Sequence, residues 1–122
     1  MKTLYCDSRG DRRFSALYAM VTLADGRRVS IESYYQSVKR TKTGGPAKKG
    51  QAVDHIIIKG KRYSPKYLTP LYRKLWVMYF QQNPELFEYA KQHTNFIDRF
   101  KGRAINCQAD VIADLVQKGD LK

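Results

Sequence analysis

The side chains with the plainest chemical potential are cations. Lys39, Arg40, Lys42, Lys48, Lys49, Lys59, Lys61 and Arg62 fall close together in a chain of 122 residues. They could hold phosphates or another polyanion. Residues 1–68 carry 15 basic and 5 acidic side chains, whereas residues 69–122 carry 8 and 6. The formal net charge of +12 is therefore lodged mainly in the first half. A concentrated excess repels itself, and nucleic acid, a nucleotide-bearing substrate or an acidic protein groove would relieve that repulsion. A solvated basic face kept for solubility is the plainer alternative.

A second constellation is Glu32-Ser33-Tyr34-Tyr35-Gln36, which follows the turn signal Asp25-Gly26. On a helix, Glu32 and Gln36 stand one turn apart on the same face. An acid in a first turn also complements the helix dipole and can pair with Arg27, Arg28 or Lys39. Tyr34 and Tyr35 fit a buried stripe as well as they fit a platform for a base. The residues alone leave these roles open.

Other chemistry can be set aside. There is no GxxxxGK[ST] loop, no GxGxxG after a strand and no GxSxG elbow. His55 and His93 lack partners at ligand spacing, and His93 suits the end of a helix. Cys6 and Cys107 lie among apolar neighbours, as buried small hydrophobes do, so neither a metal nor a cofactor is expected. No stretch approaches the ~20 apolar residues of a membrane span. The expectation is a soluble, cytoplasmic protein.

The positioning elements are those of a single α+β domain over residues 1–122, with a small antiparallel sheet and about four helices. Residues 2–6 predict a strand, 14–23 a β-rich run, and 27–30 the returning arm of a hairpin through Gly26. A helix is predicted from Ile31 to Arg40, capped by Ser30, with Ile31, Tyr34, Tyr35 and Val38 inward. Residues 41–51, with three glycines, a proline and three lysines, predict a flexible basic loop. His55–Ile58 reads as a strand running into a basic extension. Thr69-Pro70 predicts the start of a helix to Gln82, and Asn83-Pro84 a second to about Gln92. A loop carrying Phe96, Ile97 and Phe100 follows. A last helix, capped by Asn106, ends at Gly119.

Phe14-Ser15, Asp25-Gly26 and Glu32-x-Tyr34-Tyr35-Gln36 with Lys39 resemble the opening motifs of the NADAR family. Phe80-Gln81-Gln82-Asn83-Pro84-Glu85-Leu86 is similar to that family's helix pair, and Asn106 to the asparagine before its final helix. Ser33 stands where the family has histidine, and a short Arg99–Ile105 linker replaces its Trp-Gly-x-Gly segment. The resemblance implies an N-glycosidase acting on a nucleotide, ADP-ribosyl or modified-base substrate. Glu32 would then stabilise oxocarbenium character on the sugar and orient water. Tyr18, Tyr35, Gln36 and Asn106 would contact substrate, and the cations named above would hold phosphates. The alternative is a non-enzymatic basic module that binds nucleic acid or, as a phage-type protein, inhibits a nucleic-acid-binding complex.

Overall fold

A computed structural model describes residues 2–48, 50–100, 107–119 and 121. Short β-branched and aromatic runs form strands and longer amphipathic runs form helices. Their order is β1 (Thr3–Tyr5), β2 (Met20–Thr22), β3 (Arg28–Ser30), α1 (Ile31–Ser37), β4 (Lys39–Arg40), β5 (His55–Ile58), β6 (Lys61–Tyr63), α2 (Leu68–Gln82), α3 (Pro84–Ala90), β7 (Asn95–Ile97) and α4 (Gln108–Lys118). Short 3-10 turns occupy Arg12–Phe14 and Pro65–Tyr67. The fold is α+β with four helices among the described residues.

The expected single sheet is three small ones. β1 pairs in parallel with β7, β2 pairs antiparallel with β3, and β4-β5-β6 form an antiparallel triplet. Strands of two to four residues are too short to carry one continuous sheet. Each group is instead secured by its own turn or by helix packing.

Helix α2 organises the core. Tyr72, Leu75, Trp76, Tyr79 and Phe80 repeat at helical spacing, and all five are buried. They meet Phe14, Val21, Ile31, Phe87, Ile112 and Leu115 in one hydrophobic cluster. The Phe80 and Phe87 rings lie 5.3 Å apart and hold α3 against α2. Leu71 and Met78 flank this face and are only half-buried. Val38, Ala47 and Ile56 are buried outside the main cluster, on and beside the β4-β5-β6 sheet.

Several element boundaries differ from expectation, each for a local reason. Helix α1 stops at Ser37 because Lys39 and Arg40 leave it to pair with Ile56 and His55. Arg40 still serves the helix end, donating through Nη1 to the Ser37 carbonyl. The run before Thr22 is mostly turn: Tyr18 N–H and Ala19 N–H both donate to the Ser15 carbonyl, and only residues 20–22 extend. Helix α2 starts one residue before Thr69. The Ser64 Oγ caps the preceding 3-10 turn, which leads straight into it. Asn83 closes α2 rather than capping α3, since its Nδ2 donates to the Tyr79 carbonyl at 2.9 Å. Residues 95–97 form a strand, not a loop, because β1 offers them a partner. Asn106 lies outside the described residues, and α4 begins at Gln108.

Other features match. Ser30 Oγ accepts from Ser33 N–H at 3.1 Å, Gly26 turns the β2–β3 hairpin at φ +89°, and Gly119 ends α4 in the left-handed region. Both cysteines are free and buried. The segment 41–51 opens with a turn in which Thr41 N–H donates to the Gly45 carbonyl at 2.9 Å. Ala47 N–H then returns to the Lys39 carbonyl at 3.1 Å. Among the described residues no helix is long and apolar enough to cross a membrane.

One glycine is required by space. A Cβ on Gly10 would lie 2.5 Å from the Tyr5 carbonyl oxygen. Gly10→Ala is expected to destabilise by about 1–3 kcal/mol, because backbone must shift to relieve the clash. The check is a lower urea midpoint at unchanged denaturant slope.

Candidate functional site

The first turn of α1 is built against the loop before β2. Ile31 N–H donates to the Ala19 carbonyl at 2.9 Å, and Glu32 N–H to the Ala16 carbonyl at 3.0 Å. Two of the N–H groups that every helix leaves unpaired at its start are thereby satisfied. The clamp leaves Leu17 and Tyr18 projecting at its tip. Tyr18 is 48% exposed, and the Arg12 guanidinium sits 4.9 Å from its ring.

Glu32 is half-buried, and its Oε1 accepts from Gln36 Nε2 at 2.8 Å. The one-turn spacing thus places the two in direct contact. A carboxylate accepts several hydrogen bonds, so this one fixes its orientation without exhausting it. Two of the three cations expected beside Glu32 make other contacts. Arg27 Nε donates to Asp25 at 2.8 Å, and the Lys39 ammonium stands 4.4 Å from the Tyr35 ring. Desolvation pulls the Lys39 pKa down, and the charge of Glu32 works against that pull. Tyr35 is buried with its ring 4.9 Å from Tyr72, so it belongs to the core rather than to an open platform. Burial pushes the Tyr72 phenol up, and the nearby charge of Glu32 adds to the effect.

The clamp is held from behind by a residue that sequence reasoning missed. Ala16 N–H donates to Gln108 Oε1 at 2.7 Å, while Gln108 Nε2 donates to the Cys6 carbonyl at 2.7 Å and to Asp98 Oδ2 at 3.0 Å. One amide at the start of α4 therefore ties together the ends of β1 and β7 and the loop that positions Glu32. A signal was present: Gln108 falls in the inward stripe with Ile112 and Leu115, and a polar side chain there needs partners. Asp7 was missed as well. It is 1% exposed and is held by Arg99 Nε at 3.0 Å, Arg99 Nη2 at 2.9 Å and Gly10 N–H at 2.7 Å.

The remaining expected residues are dispersed over the sheet, its turn and the segment before β5. Lys39, Arg40, Lys61 and Arg62 share the β4-β5-β6 sheet, whose first strand begins two residues after α1 ends. Lys59 is in the β5–β6 turn at φ +50°, and Lys42 and Lys48 are exposed in the segment before β5. Lys49 and Asn106 lie outside the described residues. One surface concavity of about 780 Å³ is lined by residues 8–13, including Arg9, Arg12 and Arg13. Another, of about 460 Å³, is lined by Thr41, Lys42 and residues 51–54. Neither is lined by Glu32. The first adjoins Tyr18, whose ring the Arg12 guanidinium contacts.

No protein-family model matches this chain, and no curated protein matches it at meaningful similarity.

Proposed function

We propose that this chain is an N-glycosidase of the NADAR type, acting on a nucleotide, ADP-ribosyl or modified-base substrate. The observation that carries the reading is the clamp: the Phe14-Ser15 loop, through Ala16 and Ala19, is bonded to the helix turn bearing Glu32 and Gln36. Segments separated in sequence are thereby bonded to one another, with Tyr18 exposed in the loop and Glu32 half-buried in the helix turn.

The chemistry follows from the charges. As the bond between sugar and base nitrogen breaks, its electron pair leaves with the nitrogen and positive charge grows on the anomeric carbon. The Glu32 carboxylate stabilises that charge and orients a water. The water's oxygen adds to the carbon and gives up a proton, which passes to the departing nitrogen of a guanine or, where neutral nicotinamide leaves from NAD⁺, to solvent. Gln36 holds the carboxylate in register. Tyr18 offers a face for the base, and Arg12 beside it a cation for a phosphate. A nucleotide substrate fits work in the cytoplasm.

Purified chain incubated with NAD⁺ or with an ADP-ribosylated guanine oligonucleotide is expected to release base or free ADP-ribose, read by chromatography. Failure to release either from both substrates overturns the assignment.

A further inference from the structure

We infer that β6 and the 3-10 turn after it form a docking surface for single-stranded nucleic acid. From Lys59 to Tyr67 the chain carries Lys59, Lys61, Arg62 and Lys66 and no carboxylate. β6 is the outer strand of its sheet, and all three of its residues are exposed. Tyr63 and Tyr67 are 36% and 46% exposed, with ring centroids 5.8 Å apart and planes 70° to one another. Ser64 Oγ accepts from Lys66 N–H and fixes the bend that brings the two rings together. The Lys66 ammonium lies 5.5 Å from the Tyr67 ring. Asp54 offsets only one of these charges, through Arg62 at 3.3 Å.

Cations alone would be explained as protection of an exposed strand edge against pairing with other chains. Two exposed rings among them work against that purpose, since they add apolar surface where charge was meant to repel. Together they make the combination that single strands use: cations follow the phosphates and rings take unpaired bases. The 70° angle between the rings suits splayed bases and not a continuous duplex stack.

The surface also has a direction. Lys39, Ile56 and Tyr63 occupy one row across the sheet, so about 10 Å, two strand spacings, separates Tyr63 from Lys39. Lys39 in turn lies against Tyr35 on the helix that bears Glu32. The docking surface stands whether or not Glu32 turns over a substrate.

The test is fluorescence anisotropy of the full chain with labelled oligothymidylate of about 12 nucleotides, its complementary duplex, and phosphatidylserine–phosphatidylcholine vesicles. The single strand is expected to bind at least about 10-fold more tightly than the duplex, weakening with salt by roughly 0.7 log unit per phosphate contact for each decade. Tyr63→Ala with Tyr67→Ala is expected to weaken binding about 10-fold or more, while Tyr63→Phe with Tyr67→Phe, which keeps the rings, retains it. Lys61→Ala with Arg62→Ala is expected to flatten the salt dependence. Circular dichroism verifies that each variant is folded. Equal binding by the paired alanine tyrosine variant, loss of binding in the paired phenylalanine variant, tighter binding of duplex or vesicles, or salt-independent affinity would each overturn the inference.

Discussion

Glu32→Gln is expected to lower turnover of an N-ribosyl substrate by about 10³-fold while leaving its affinity nearly unchanged. The substitution keeps shape and removes charge. A glutamine carbonyl at position 32 can still accept from Gln36 Nε2, so the bond at 2.8 Å and the helix turn around it persist. What disappears is the attraction between a carboxylate and an anomeric carbon that becomes cationic only as the bond breaks. An interaction made only in the transition state appears in kcat and not in KM. Steady-state kinetics on the NAD⁺ or ADP-ribosylated substrate reads the split directly. Unchanged kcat would reduce Glu32 to a first-turn acid complementing the helix dipole.

Asp7→Asn is expected to remove about 2–3 kcal/mol of stability near pH 7 and far less near pH 2. Arg99 donates to both oxygens of the Asp7 carboxylate, and with the backbone N–H groups it holds the folded pKa down to about 2. The unfolded value is about 3.9. Because the folded pKa is the lower, the stabilisation is complete above the unfolded value and fades as pH falls from about 4 toward 2. Asp7 is 1% exposed, but the Arg99 side chain is 44% exposed, so water recovers part of what the arginine loses. Urea midpoints of wild type and variant should therefore diverge at neutral pH and converge in acid. A gap that stayed constant down to pH 2 would show that packing, and not the carboxylate's charge, accounts for the loss.

Periodicity made the helices legible, since an apolar residue every three or four positions has few other uses. The Asp25-Gly26 hairpin and the Ser30 cap were legible for a similar reason: each depends on residues adjacent in sequence. Pairings between distant segments were not. Nothing in Thr3–Tyr5 says that its partner is Asn95–Ile97, and nothing in Lys39-Arg40 marks the point where helix gives way to strand. Within the site, the Glu32–Gln36 contact could be anticipated from spacing alone. For Gln108 the need for partners could be read from its place in the inward stripe, but not their identity, because Cys6, Ala16 and Asp98 are all distant or unmarked in sequence. Tyr35 was ambiguous in sequence, and its burial against Tyr72 resolves it.

The parallel pairing of β1 with β7 has a consequence during synthesis. β1 is made well before its hydrogen-bonding partner, which is complete only once Ile97 has been made. The Asp7–Arg99 and Cys6–Gln108 contacts come later still. Thr3–Tyr5 must therefore stay uncommitted while the intervening residues are made, and closure of these long loops should come late in folding. A chain cut after residue 94 would keep the residues of all but the last strand and last helix, yet leave β1 with an open edge inviting association between copies.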